Sequence, residues 1–376
     1  MRGVLCLFVA MVGSLGFSCL WDRDTVAAEL RGMPELQDVI AGRFERNPDL
    51  YYEMRLARIE ALNERSPEDC FDAAVAFDRL GNDDTAINWI LKAENEAAKI
   101  KMTEHGWKDF QYKRFANLGT FYIHRGLKKG DKGLADLKKG LGMIEQAVEI
   151  NPDAHFGREK VQVALVKDLI WHRAYKKQLD EFDDSHQLPE RPKLNMSAKE
   201  IREGLIGLMV LGAAWESPTV WEWLAGTLDW EDTHAAAMIG NRINELDSKF
   251  NWMEARLPEP LQLTNYGLRD DKRTDEVYKE LRANGKEWAK IREEFMLKRL
   301  KGGLHPDVNK DFWNGYNEVP PITIKETVPF GTYDPEIQFM SLFKLVVGSC
   351  VGVLALVVGV ILFLRKKMVL DAERTP

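Results

Sequence analysis

Cysteine is scarce in this chain of 376 residues: Cys6, Cys19, Cys70 and Cys350 are the full set. Thiols so far apart give neither a disulfide framework nor a paired-cysteine metal motif, so the fold must rest on packed apolar side chains. An excess of positive charge is missing as well. The net charge is −7, from 52 Lys and Arg against 59 Asp and Glu, and no basic stripe suited to nucleic acid is present. Period-two alternation of apolar and polar residues is rare, which leaves little for β-strands and points to an all-α fold. Catalytic signatures are lacking too: there is no c-type haem site, no zinc-protease helix and no phosphate loop. Gly140-Leu141-Gly142 lacks the third glycine and the preceding strand of a dinucleotide turn. The seven histidines (105, 124, 155, 172, 186, 234 and 305) stand without ligand spacing. No catalytic, cofactor-binding or metal-binding residue is expected on these grounds.

The two ends of the chain carry its longest apolar runs. Leu345 to Leu364 is free of charge and closed by Arg365, Lys366 and Lys367. Its 20 residues, at 1.5 Å each, span about 30 Å, the hydrocarbon thickness of a bilayer. Residues 345–364 are therefore read as a transmembrane helix and 365–376 as a cytoplasmic tail, because basic residues beside a span stay inside. Inside the span, Gly348 and Gly352 form a small-xxx-small pair that offers a homodimer contact. At the other end, Met1-Arg2, the apolar run Gly3 to Leu15 and the small residues Gly16 and Ser18 follow the pattern of a secretory signal peptide over residues 1–18. A cut there leaves Cys19 first, a lipidation candidate; ordinary cleavage and an uncut anchor are the alternatives. Asp22, Arg23 and Asp24 then fit the polar start of a mature chain. The expected arrangement is a single-pass protein of the bacterial inner membrane, its body extracytoplasmic (periplasmic).

Between the ends, two segments repeat one arrangement of small and aromatic residues. Residues 67–99 carry Ala74, Phe77, Gly81, Ala86, Ile87, Ile90 and Ala93. Residues 112–152 carry Leu118, Gly119, Tyr122 and Gly126, then Ile144, Ala147, Asn151 and Pro152. Small residues where two helices cross allow close approach. A glycine ends a helix in the left-handed conformation, and a proline cannot continue one. On these residues the chain resembles the tetratricopeptide repeat, a helix–turn–helix unit of about 34 residues. The second segment departs from that pattern by about nine extra residues, rich in Lys and Gly, after Gly126. The resemblance covers a fifth of the chain. It implies an α-solenoid of helix pairs, non-enzymatic, whose concave face docks other proteins.

Two repeats cannot bury a continuous face alone, so their neighbours are expected to be helical. Glu35 to Glu45 and Leu50 to Glu64 form a first pair, and Gly157 to Leu179 and Thr274 to Leu300 form longer helices. Ser197-Ala198-Lys199-Glu200 is a capping box opening an apolar helix. Ser217-Pro218 opens another with Trp221 and Trp223, and Thr233 to Leu246 completes a degenerate pair. The organisation read from this is a helical domain over 19–179, a second helical region over 180–301 and a proline-containing extended stalk over 302–341.

Four features invite a binding role, each with a plain alternative. Lys128, Lys129, Lys132, Lys138 and Lys139 could meet an acidic partner or form a solvated loop. Asp180, Glu181, Asp183, Asp184 and His186 could hold a cation or, again, be solvated. Trp215, Trp221, Trp223 and Trp230 could line a groove or pack in a core. Asn117 stands where some tetratricopeptide domains grip a terminal carboxylate, but Phe71 and Val75 replace the other members of that clamp, so it does not carry over. The reading that results is a membrane-anchored scaffold for protein–protein interactions whose partners are other proteins and, through the span, lipid. Its competitors are a solute-binding protein or enzyme with a site in residues 180–300, and a structural subunit of a membrane complex.

Overall fold

Four helix starts among the described residues, at Ser66, Asn82, Thr103 and Ser197, are fixed by a side chain that caps the backbone. In the computed structural model Ser66 accepts from the Asp69 amide at 3.1 Å while the Asp69 carboxylate accepts from the Ser66 amide at 3.0 Å, a reciprocal cap with Pro67 in the first turn. Ser197 and Glu200 repeat the arrangement at 3.3 and 2.8 Å. The structure describes residues 20–25, 32, 34–152, 154–180, 196–212, 214–228, 233–249 and 272–322. The expected signal peptide, Cys19, the acidic cluster beyond Asp180, Trp230, the expected membrane run with Gly348 and Gly352, and Arg365, Lys366 and Lys367 lie outside them. Among the described residues no strand forms, and no helix is long and apolar enough to cross a membrane.

The helices are α1 (Leu36–Ala41), α2 (Asp49–Glu60), α3 (Pro67–Arg79), α4 (Asp83–Ala97), α5 (Glu104–Lys128), α6 (Leu134–Ile150), α7 (Arg158–Asp180), α8 (Ala198–Leu211), α9 (Pro218–Ala225), α10 (Thr233–Lys249) and α11 (Lys272–Lys301). From α2 onward each packs on the next. The α3–α4 turn is three residues long and needs Gly81 at φ +82°, where the Gly81 and Asn82 amides close back on Asp78 and Phe77. Ala74, Ala86 and Ala93 are fully buried at that crossing, and half-buried Phe77 stacks on Trp89.

Between α5 and α6 the small residues permit backbone contact. A Cβ at Gly119 would meet Ile144 at 2.6 Å, and one at Gly140 would meet the Gly119 carbonyl at 2.6 Å. Leu118, Tyr122 and Ala147 are buried around this crossing. Gly126 corrects the expectation that it ends a helix in the left-handed conformation. It lies inside α5, which runs on to Lys128, and the positive φ of +55° belongs to Gly130. The missing side chain of Gly126 instead lets the 3-10 turn Gly130–Gly133 lie flat on α5. Pro152 follows the end of α6 in an exposed turn, but a second 3-10 turn, Ala154–Gly157, precedes α7, so the proline does not open that helix.

Two departures concern the far end. An open solenoid keeps each repeat against its neighbours alone. Here α11 packs on α10 and also returns to α1 and α2. Arg282 donates to the Ala41 carbonyl at 2.6 Å, Arg292 donates to the Arg46 carbonyl at 2.8 Å, and Gly285 leaves no room for a side chain beside Ala41. The expected stalk is corrected over its described part, residues 302–322. Residues 302–322 form turns on the body, with His305 and Phe312 buried and Phe312 sharing a core with Met296, Leu300 and the α2–α4 apolar residues. An aromatic set (Phe295, Phe312, Trp313, Tyr316) holds them there. A second core joins α5–α10 to α1 around Trp215, Trp221 and Trp223.

Candidate functional site

The inner faces of α3 and α5 form a groove, and residues 20–25 lie in it, Leu20 and Trp21 outside any helix and Arg23 to Thr25 in a helical turn. Leu20 is fully buried there and Asp22 and Thr25 nearly so. The key side chain is Asn117 on α5, which is itself fully buried. Its Oδ1 accepts from the Trp21 amide at 2.7 Å and its Nδ2 donates to the Trp21 carbonyl at 3.0 Å. A carboxamide that bonds both polar groups of one residue does what a neighbouring strand would do, and it reads backbone rather than side chain. The Trp21 ring meets Tyr112 edge-on with centroids 5.7 Å apart, and the Lys113 ammonium lies 5.3 Å from it.

Two residues on, α3 takes over. The Arg23 amide donates to Asp72 at 3.1 Å and its guanidinium meets the other Asp72 oxygen at 2.5 Å. Burial, the largest influence on Asp72, pushes its carboxyl up to about 6 against the pull of Arg55 and Arg23. Asp22 accepts from the Thr25 amide at 2.9 Å, which turns the segment, and its carboxyl is raised by burial and then by Asp24.

The segment ends on Arg55 of α2, a guanidinium with no exposed surface. Its nitrogens reach Asp24 at 2.9 and 3.0 Å and Asp307 at 2.6 and 2.9 Å, and it also donates to the Tyr51 hydroxyl. Arg58 adds a second contact to Asp307 at 2.7 Å. Burial would push the Asp307 carboxyl up, but the bonds and charge of Arg55 outweigh it and hold it at about 2. His305 stacks on Tyr51, accepts from the Asp307 amide and faces the Tyr51 carbonyl with its other nitrogen; burial, the first cause, lowers its pKa. One arginine thus ties together residues 20–25, α2 and the segment after α11.

The groove is not full. A cavity of about 450 Å³ lies beside Trp21 and Arg23, walled by Glu68, Phe71, Asp72 and Lys113. Phe71 meets Phe110, and Phe110 stacks on Trp107, which is 49% exposed, so an aromatic strip leads from the cavity to open surface.

The other candidates fall elsewhere. Trp215, Trp221 and Trp223 are buried core residues, with Trp215 lying between Arg46, Arg242 and Arg282. Lys128, Lys129 and Lys139 bind Asp83, Asp136 and the Tyr122 hydroxyl, each at 2.7 Å. The residues that build the groove contacts, Trp21, Asp72, Arg55 and Asp307, carry no sequence signal of their own. The apparent polar start Asp22-Arg23-Asp24 was the available hint, because its charges alternate beside a tryptophan. No protein-family model matches the chain, and neither a curated protein nor a solved structure matches it.

Proposed function

We propose that this chain is a tetratricopeptide-like, non-enzymatic scaffold, held at the extracytoplasmic face of a bacterial membrane by its C-terminal run. Its groove between α3 and α5 docks extended segments of other proteins. The observation that carries the reading is Asn117 bonding both backbone groups of Trp21, because a groove built to pair with main chain accepts polypeptide irrespective of its side chains. The open cavity beside Trp21 and the exposed Trp107 give a partner side chain somewhere to bury. The segment 20–25 is then an internal occupant of part of that surface.

The test is crosslinking in intact membranes with a photoreactive residue replacing Lys113 at the cavity wall. A discrete protein adduct that disappears when Asn117 is also changed to Ala supports the docking role. Adducts confined to this chain itself, or unchanged by Asn117→Ala, count against it.

A further inference from the structure

Three polar residues meet where the α3–α4 turn touches α5. Asp78 closes α3, Asp83 opens α4 and His124 projects from α5; they are 7%, 6% and 6% exposed. One ligand-bearing atom from each lies within 4.8 Å of the other two. The Gly81 turn and the α5 crossing bring them together from sequence positions that show no ligand spacing.

His124 Nδ1 lies 2.7 Å from an Asp78 carboxylate oxygen, so the ring already faces one of the two carboxyl groups. The other nitrogen, Nε2, is buried and has no hydrogen-bond partner. Lys128, one turn along α5, sits 2.7 Å from Asp83 and 3.1 Å from the Gly81 carbonyl. Lys128 is thus the group bound at Asp83, and His124 the group that faces Asp78. A cation held between the three residues would take one oxygen from each aspartate and one nitrogen of His124.

We propose that Asp78, Asp83 and His124 form a binding site for a divalent first-row metal ion of the zinc class. One imidazole with two carboxylates is a mixed nitrogen and oxygen set, suited to zinc and poorly suited to magnesium or calcium, which prefer oxygen alone. Lys128, whose side chain is 30% exposed, serves as the counter-ion in the metal-free state and swings to solvent on binding. Bound metal pins the α3–α4 pair to α5, the two walls of the groove.

The full-length chain, stripped with a chelator, is titrated with zinc against a chromophoric competitor. One zinc per chain is expected, insensitive to excess magnesium. His124→Gln and Asp83→Asn should each weaken it about tenfold or more, since even changes behind the ligands reach that scale. Lys128→Met should lower the melting temperature of the metal-free chain, because Asp83 loses its ammonium, and should tighten zinc binding by removing the competing charge. The absence of saturable zinc binding, equal affinity in a folded His124→Gln variant, or no tightening in Lys128→Met would each overturn the site.

Discussion

At the scale of single residues, the groove depends on groups that are costly to bury and are therefore paired with opposite charge. Asp72 has the clearest consequence. Its carboxyl, ordinarily near 3.8, stands at about 6 in the folded chain. Between those values the folded protein holds a proton that the unfolded chain has released, so this group stabilises the fold as pH falls from 7 to 5. The gain is about 1 kcal/mol. Asp307 has the opposite sign: held at about 2, it contributes stability above its ordinary value, and that contribution is lost only as pH falls from about 4 through 2. The two windows do not overlap. Asp72→Asn should therefore remove about 1 kcal/mol of the pH 7-to-5 stabilisation seen in denaturant titrations. An identical pH response in the two proteins would refute the burial argument.

At the scale of elements, close helix crossings decide which glycines are needed. Gly140 touches the Gly119 carbonyl, whereas a Cβ on Gly142, two residues later in α6, meets nothing within 4 Å. Gly140→Ala should destabilise by about 1–3 kcal/mol through forced separation of α5 and α6. Gly142→Ala should stabilise by up to about 1 kcal/mol through helix propensity. Thermal melts of both variants check the pair, and equal effects would contradict the crossing geometry. The sequence had treated Gly140 and Gly142 alike, because apolar spacing reveals that helices pack but not which backbone atoms touch. Helix positions were legible for the same reason. Ser66-Pro67 and Ser197 with Glu200 mark starts by local bonding that needs no tertiary context, and Pro218 marks one by its place in the first turn although Ser217 makes no cap bond. Asn117 was legible as a residue of interest but not as a ligand of Trp21, because a sequence separation of 96 is bridged only by the fold. Asp307 looked like stalk because nothing in a proline-containing stretch announces a buried arginine waiting on α2.

At the scale of the molecule, the returning α11 and the turns after it make the helical array close on its own beginning, and Arg55 is the shared fastening. Removing its charge leaves Asp22, Asp24 and Asp307 facing one another with Arg58 as the remaining close partner. Arg55→Met should cost about 3–5 kcal/mol. Hydrogen exchange should rise together in residues 20–25 and 304–316; a rise in one segment alone would mean that the two are fastened independently. The central claim, that the α3–α5 groove binds extended polypeptide through main chain, has a direct measurement. In the full-length protein, residues 20–25 are replaced by a glycine-serine stretch and a labelled peptide of sequence Leu-Trp-Asp-Arg-Asp-Thr is titrated by fluorescence anisotropy. Saturable binding that Asn117→Ala abolishes is the predicted result. The absence of saturable binding, or binding indifferent to Asn117→Ala, would contradict the account.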